Sequence, residues 1–246
     1  MYTRHFQTSS RFSRFSRPAG NSRFSGSRGR GRSMTGGNIH EFIRRANVKS
    51  TQVSPAQVVN EVLFSSLDLP ETLKATIARH GYVNLTPIQA QGIPAIRAGK
   101  DVIGIANTGT GKTAAFLIPL VENILKDFNY KALIISPTRE LALQTRDELR
   151  KFSGNMPIFS TLCIGQSSMQ MQVSQLRHNP HVVVGTPGRL KDLINRGVLK
   201  LGMFKMIILD ETDQMLDMGF IHDIKEIISY LPADRQSLFF SATVSP

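Results

Sequence analysis

The sequence A-N-T-G-T-G-K-T at positions 106–113 follows the short apolar run V-I-G-I at 102–105 and precedes a helical pattern. A strand, a glycine-rich loop and a helix in this order are typical of a phosphate-binding P-loop. Gly109 and Gly111 let the backbone curl so that consecutive N–H groups point at phosphate oxygens. The stretch therefore predicts a nucleoside triphosphate site on an α/β fold.

Two side chains of this loop are suited to the phosphates and their metal ion. Lys112 can reach the β- and γ-phosphates, and the hydroxyl of Thr113 can coordinate Mg²⁺. The strict P-loop pattern has glycine at the position of Ala106. Taken alone, the motif leaves an ordinary glycine-rich turn before a helix as the alternative.

A second apolar run, M-I-I-L at 206–209, ends in the acidic sequence D-E-T-D at 210–213. So short a run predicts a buried parallel strand that carries carboxylates at its C-terminal end. Ligands bind at that edge of an open α/β sheet, so we expect Asp210 to reach the Mg²⁺ of the same nucleotide. Glu211 would then orient or deprotonate the attacking water. The alternative is an acidic turn that caps the next helix.

Further motifs follow one another in a fixed order along the chain. They are Phe64, G-Y-V-N-L-T-P-I-Q at 81–89, the P-loop, P-T-R-E-L-A at 137–142, T-P-G-R at 186–189, D-E-T-D, and S-A-T at 241–243. The ordered set resembles the first RecA-like domain of DEAD-box ATP-dependent RNA helicases, over about residues 64–243. The resemblance implies a mostly parallel sheet with helices on both faces. It also implies ATP and Mg²⁺ as cofactors, RNA as the partner, and a second RecA-like domain in the full-length protein.

The resemblance also implies a role for each matching residue. Gln89 would read the adenine edge, Phe64 would stack on the base, and Lys112 would act with Asp210 and Glu211 in catalysis. The implied ATP-binding residues are Phe64, Thr86, Gln89, Thr108, Gly109, Thr110, Gly111, Lys112 and Thr113. The implied RNA-backbone contacts are Pro137, Thr138, Arg139, Gly165, Thr186, Pro187, Gly188 and Arg189. The residues implied to couple hydrolysis to RNA binding are Asp213, Ser241 and Thr243.

The sequence departs from the family pattern at a few positions. Thr212 stands where the family usually has alanine, and Leu85 replaces a commoner proline. Gln166 replaces the second glycine of a Gly-Gly pair, which adds a side chain where the family brings backbone close to RNA. The sequence stops at Pro246, soon after the S-A-T motif, so we expect the second RecA-like domain to lie outside this chain.

Composition limits the remaining possibilities. The chain has 246 residues with 41% hydrophobic content, enough for one sizeable core, and no run approaches the ~18 apolar residues of a membrane span. Its single cysteine, Cys163, excludes an internal disulfide and favours a reducing compartment. We therefore expect no membrane partner and a cytoplasmic location, with nuclear or mitochondrial locations as alternatives if the source is eukaryotic. The histidines show no metal-binding spacing.

Positive charge is concentrated at the N-terminus. Residues 1–50 contain ten Arg and one Lys against one Glu, a net charge of +10, whereas the other 196 residues carry +2. This Arg/Ser/Gly/Phe-rich segment predicts a disordered basic tail and linker before a RecA-like domain at 51–246. Arginine and phenylalanine interleaved with glycine suit single-stranded nucleic acid. A solubilising tail and a mitochondrial presequence at 1–17 remain alternatives.

Short β-branched runs alternate with helical patterns from Phe64 onward, which predicts a parallel sheet between helices. The predicted strands are 102–106, 132–136, 159–164, 182–185, 206–209 and 237–240, and a short helix is predicted at 38–46. Two other functions stay open. One is a nucleotide-switched RNA-binding module with negligible catalysis, and the other is a DNA translocase or other P-loop ATPase, which the T-P-I-Q segment disfavours.

Overall fold

The computed structural model describes residues 62–243, in which six strands alternate with helices. The strands are β1 (Val102–Ile105), β2 (Ala132–Ile135), β3 (Ser160–Cys163), β4 (Val182–Gly185), β5 (Met206–Leu209) and β6 (Gln236–Ser241). The helices are α1 (Glu71–Arg79), α2 (Pro87–Arg97), α3 (Lys112–Lys126), α4 (Arg139–Ser153), α5 (Met169–Arg177), α6 (Pro187–Asn195), α7 (Thr212–Asp217) and α8 (Ile221–Ser229), and a 3-10 turn at Phe64–Ser66 precedes α1. The predicted basic tail, the helix at 38–46 and the domain boundary near residue 50 lie outside the described residues.

All six predicted strands are present, and their ends differ from prediction by one residue at most. The prediction for β6 was too short by one residue at each end, at the polar residues Gln236 and Ser241. Both side chains are nevertheless buried, and Gln236 Nε2 donates to the carbonyl oxygens of Ile96 and Lys100. A buried polar residue with satisfied hydrogen bonds extends a strand without adding to the apolar pattern.

The strands form one parallel sheet in the order β1-β6-β5-β2-β4-β3. Successive side chains of a strand point to opposite faces, so Ile134 packs in one core layer while Leu133 and Ile135 pack in the other. Helices α1–α4 cover the first layer and α5–α8 the second. Helices therefore lie on both faces of the sheet, as predicted.

Strand order divides the C-terminal edge of the sheet into two halves. Loops 106–111, 210–211 and 242–243 follow β1, β5 and β6, which are neighbours, and form what we call the β1 half. Loops 136–138, 164–168 and residue 186 follow β2, β3 and β4, and form the β3 half. The P-loop and the D-E-T-D carboxylates therefore share one half, and the predicted RNA contacts share the other.

The single cysteine is a core residue. Cys163 is fully buried, and burial raises the pKa of its thiol to about 12. The thiol therefore stays protonated and unreactive at neutral pH. Between residues 62 and 243, no helix is both long enough and apolar enough to span a bilayer.

Candidate functional site

The P-loop has the backbone conformation that its glycines were predicted to provide. Gly109 and Gly111 have φ angles of +84° and +91°, and α3 begins directly afterwards at Lys112. A Cβ atom on Gly111 would lie 2.3 Å from Nε2 of Gln89, so the loop and this glutamine approach closely. The positive φ and the close approach both require glycine at position 111.

Lys112 joins the P-loop to the acidic motif. Its side chain is only 5% exposed, and Nζ donates to the carbonyl oxygen of Ala106 at 2.7 Å. The same Nζ lies 3.2 Å from Oε1 of Glu211. The fold thus brings together a lysine and a glutamate that are far apart in sequence.

Two adjacent carboxylates lie beside this lysine, the buried Asp210 and the partly exposed Glu211. Asp210 is 5% exposed, and its burial, assisted by the negative charge of Glu211 and opposed by Lys112, raises the pKa of its carboxyl to about 6. Glu211 adopts a left-handed conformation with φ +52°, which costs a non-glycine residue about 1–3 kcal/mol. Because the charge of Glu211 disfavours ionised Asp210, a cation bound beside them would stabilise the ionised form.

Thr212, which departs from the family pattern, is accommodated within the core. It is 4% exposed, and Oγ1 lies 3.2 Å from the carbonyl oxygen of Leu209 and 3.1 Å from that of Phe240. The hydroxyl therefore finds acceptors at the ends of β5 and β6. The extra polar group joins these two strand ends and is not left without a partner.

The three residues predicted to couple hydrolysis to RNA binding are in contact. Oδ2 of Asp213 accepts hydrogen bonds from the backbone N–H of Ala242 and from both the N–H and the hydroxyl of Thr243, at 2.8–3.1 Å. Ser241 Oγ donates to the carbonyl oxygen of Thr243 at 2.7 Å. Burial acts to raise the pKa of Asp213, but hydrogen bonds from Thr243, Gln214 and Ser241 outweigh it and lower that pKa.

Gln89 is tied to the protein through both ends of its carboxamide. It is 1% exposed, Oε1 accepts from the N–H of Thr86 at 2.9 Å, and Nε2 donates to the carbonyl oxygen of Gly111 at 3.2 Å. The side chain therefore links the start of α2 to the P-loop. Its reading of an adenine edge stays a prediction.

Phe64 lies in the core, as its alternative interpretation suggested. The residue is 3% exposed, and its ring meets the ring of Tyr82 edge-on at 5.8 Å between centroids. A base could stack on Phe64 only after the side chains that cover the ring move.

A groove of about 540 Å³ occupies the β3 half. Predicted RNA contacts that line it are Pro137, Thr138, Arg139, Gly165, Thr186, Gly188 and Arg189. The remaining predicted contact, Pro187, is buried as the first residue of α6 and does not line the groove. Residues that were not among the predicted contacts also line it, namely Glu140, Gln166, Asp192, Met218 and Phe220. Of these, Glu140 belongs to the P-T-R-E-L-A motif and Gln166 interrupts a glycine pair, whereas the other three had no signal in the sequence.

The two arginines of the groove are both held by the loop between β3 and α5. Arg139 Nη1 donates to Oε1 of Gln166, and Arg189 Nη1 donates to the carbonyl oxygen of Ser167 at 3.3 Å. Both acceptors are neutral, so both guanidinium groups keep their charge within the groove. The two arginines are the groups of this lining that can contact a polyanion, whereas Glu140 and Asp192 of the same lining carry negative charge.

The sequence is similar to those of known helicases. A family model described as DEAD/DEAH box helicase matches residues 86–246. The chain is 50% identical over 184 residues to the ATP-dependent RNA helicase CshA of Limosilactobacillus reuteri, covering 74% of this chain and 37% of that protein. It is 43% identical over 182 residues to the DEAD-box ATP-dependent RNA helicase RhpA of Helicobacter pylori, with the same coverage of both.

Solved structures agree with the sequence matches. The crystal structure of a DEAD box protein from Methanococcus jannaschii superposes with a TM-score of 0.71 and 40% identity, covering 74% of this chain and 50% of that one. A hypothetical ATP-dependent RNA helicase from Sulfolobus tokodaii gives a TM-score of 0.66 and 38% identity, covering 71% and 51%. The chain therefore spans about half the length of these two proteins and just over a third of the two helicases above.

Proposed function

Because the chain belongs to the DEAD/DEAH box helicase family, we propose that it is the first RecA-like lobe of an ATP-dependent RNA helicase, binding both ATP and RNA. The observation that carries the proposal is the ion pair of Lys112 with Glu211, next to Asp210, at one half of a sheet edge whose other half is a groove that contains Arg139 and Arg189. Phosphoryl transfer needs positioned charge more than covalent chemistry from the protein, and this half supplies it. We place the protein in the cytoplasm, which its single buried thiol supports.

The residues present fit a magnesium ion that is carried by the nucleotide. Mg²⁺ in such sites takes one or two protein oxygens and completes its shell with phosphates and waters. Asp210 and Thr113 would supply those oxygens. Between residues 62 and 243 there is no group of three or more His, Cys, Asp or Glu side chains that could hold a metal alone. The ion, when bound, offsets negative charge on the β- and γ-phosphates.

Lys112 and Glu211 would exchange partners when ATP binds. Nζ of Lys112 is held by the carbonyl oxygen of Ala106 and by Glu211. Phosphate oxygens are stronger acceptors for an ammonium group than a backbone carbonyl is, so Nζ would turn to the phosphates. Glu211 would then be free to accept a hydrogen bond from the attacking water and hold it in line.

Asp213 would transmit structural changes at the nucleotide site to the residues at the end of β6. Its carboxylate lies three residues beyond Asp210 and binds three hydrogen-bond donors of Ala242 and Thr243. A shift at the start of α7 would therefore move the S-A-T segment. This contact supports the proposed role of Asp213, Ser241 and Thr243 in coupling hydrolysis to RNA binding.

The relatives are much longer than this chain, so we propose that activity needs a second RecA-like lobe. A single lobe would leave the transferred phosphoryl group exposed on one side. It would also lack an arginine finger from the second lobe, and such an arginine accelerates phosphoryl transfer about 10³–10⁵-fold. Residues 1–246 alone should bind ATP weakly and unwind nothing. Fusing them to the second lobe of the Limosilactobacillus reuteri relative should restore RNA-stimulated ATP hydrolysis, because tethering raises the effective concentration.

The experiment compares the fused protein, the isolated chain and a fused Lys112→Ala variant in a phosphate-release assay with and without RNA. Hydrolysis that depends on RNA and on Lys112 would support the proposal. Duplex unwinding by the isolated chain would contradict the need for a second lobe. ATP-dependent RNA binding without turnover in the fused protein would instead favour a nucleotide-switched binding module.

A further inference from the structure

The loop between β3 and α5 contains a side chain whose backbone conformation favours glycine. Gln166 has a φ angle of +55°, in the left-handed region. The residue is exposed, and it lines the groove that contains Arg139 and Arg189. Glutamine at such a φ angle costs backbone stability that glycine would not, so the contacts of its side chain are of interest.

The contact made by this side chain is with a predicted RNA-binding cation. Oε1 of Gln166 accepts a hydrogen bond from Nη1 of Arg139, whose Nε is buried without a hydrogen-bond partner. A carboxamide holds a guanidinium group in place without cancelling its charge, whereas a carboxylate would form an ion pair and cancel it. The contact therefore orders the arginine and leaves its attraction for phosphate intact.

We propose that Gln166 is a positioning residue for RNA binding, which holds the Arg139 guanidinium ready for a backbone phosphate of single-stranded RNA. The proposal rests on the proposed RNA-binding function of the groove. An arginine that is ordered before binding loses less conformational entropy when the phosphate arrives. The substitution of glycine by glutamine thus exchanges some backbone stability for an ordered cation.

Because the backbone at Gln166 is left-handed, a glycine substitution can distinguish a role in RNA binding from a role in stability. Gln166→Gly removes the side chain and relieves the φ strain, so its melting temperature should equal or exceed that of the parent. Weaker RNA binding by a variant of undiminished stability would not come from misfolding. A matched control is Gln170→Ala, which removes an exposed carboxamide from α5 without touching the groove.

The test is a titration of a fluorescein-labelled single-stranded polyuridine oligonucleotide with the full chain over a series of salt concentrations. Gln166→Gly should weaken binding about fivefold without changing the slope of log affinity against log salt, because no charge is lost. Arg139→Ala should weaken binding and reduce the slope by about 0.7, the value for one phosphate contact on a single strand. Gln166→Glu should reduce the slope in the same way, because its carboxylate neutralises Arg139.

Two comparisons decide the outcome. The double variant Arg139→Ala/Gln166→Gly should bind no more weakly than Arg139→Ala alone, because the glutamine acts through the arginine. Binding by Gln166→Gly that equals or exceeds that of the parent, or additive losses in the double variant, would overturn the positioning role. If the parent chain shows no salt-dependent binding, or Arg139→Ala binds like the parent, the RNA site itself fails and not only the role of Gln166.

Discussion

The two halves of the sheet edge differ in how far the residues proposed to bind ligands are buried. In and beside the β1 half the predicted site residues are buried, with Lys112 and Asp210 each 5% exposed and Gln89 1% exposed. Lys112 and Gln89 are also held by hydrogen bonds within the protein. In the β3 half, Arg139 and Arg189 are half-buried in an open groove and are held by neutral acceptors of one loop. A compact triphosphate can be enclosed by buried charges, whereas an extended polymer needs an open surface.

The two halves also differ in the free-energy cost of keeping their side chains charged. Burial, together with the charge of Glu211, raises the pKa of Asp210 to about 6. Ionised Asp210 therefore costs free energy, which a bound cation would reduce. The arginines of the groove stay in contact with solvent. We therefore expect substitutions in the β1 half to change nucleotide binding and stability together, and substitutions in the β3 half to change RNA binding alone.

Replacing Lys112 should separate the two halves most clearly. Lys112→Ala removes the cation aimed at the phosphates and leaves Asp210 and Glu211 without their lysine, so Mg²⁺-ATP affinity should fall on the order of a hundredfold. RNA binding in the absence of nucleotide should change less than about twofold. Calorimetric titration with Mg²⁺-ATP measures the first and fluorescence anisotropy the second, with the exposed Lys200→Ala as control. Unchanged ATP affinity would remove Lys112 from the site.

Asp210 should show opposite effects on stability and on binding. Its pKa is about 6 in the folded chain and about 3.9 in an unfolded one, so the folded state binds the proton more tightly. The free energy of unfolding should therefore fall as pH rises from about 4 to 6, by up to about 3 kcal/mol. Asp210→Asn should abolish this loss and raise the melting temperature at pH 7.5, while Mg²⁺-dependent ATP binding disappears.

The control for these two effects is Asp217→Asn, which changes an exposed carboxylate at the end of the following helix, α7. In the parent chain, Mg²⁺-dependent ATP affinity should decline as pH falls through about 6, because protonated Asp210 cannot bind the ion. An Asp210→Asn variant that melts lower than the parent at pH 7.5 would show that the buried charge is not a cost to the fold.

Gln89 tests whether the β1 half selects the base as well as the phosphates. The parent chain should bind ATP better than GTP, and Gln89→Ala should erase the preference. The variant also loses the hydrogen bonds to Thr86 and Gly111, so its affinity for both nucleotides should fall about fivefold. Competition of labelled ATP by unlabelled ATP and GTP measures both effects. Equal affinity of the parent for the two nucleotides would contradict the role in base selection.

Arg189 should give the smallest effect and one confined to the β3 half. Arg189→Ala should weaken binding of single-stranded RNA about threefold and lower the salt slope by about 0.7. ATP affinity should be unchanged, and the exposed Arg79→Ala, at the end of α1, is the control for lost charge. A fall in ATP affinity with Arg189→Ala would show that the two halves are not independent.

Sequence motifs predicted the β1 half more completely than the β3 half. The family, the RecA-like fold and all six strands were predicted and are confirmed, because buried parallel strands and contiguous motifs leave local patterns. The rule for sheet edges predicted Asp210 near the nucleotide held by Lys112, but it did not predict the ion pair of Lys112 with Glu211. In the β3 half, Met218 and Phe220 enter the groove from the end of α7, and no motif connects them to the loops they meet.

Side-chain environment was the part that sequence could not decide. The spacing of Phe64 from the following motif fits both a base-stacking ring and a core ring, and only packing distinguishes them. Gln89 was predicted to face the nucleotide, yet its hydrogen bonds to Thr86 and Gly111 depend on how α2 and the P-loop pack. The satisfied hydroxyl of Thr212 likewise depends on β6, which lies far along the chain.

The position of β6 between β1 and β5 has a consequence for protein synthesis. Among the described strands, β1 lies at one edge of the sheet and pairs only with β6, where Val102 is opposite Leu238. The strands β5, β2, β4 and β3 form a four-stranded part in which β1 has no partner. A growing chain can therefore assemble the four-stranded part first, and β1 must wait for more than a hundred further residues to leave the ribosome. The P-loop is translated early, but the strand that carries it joins the sheet only when β6 has been made.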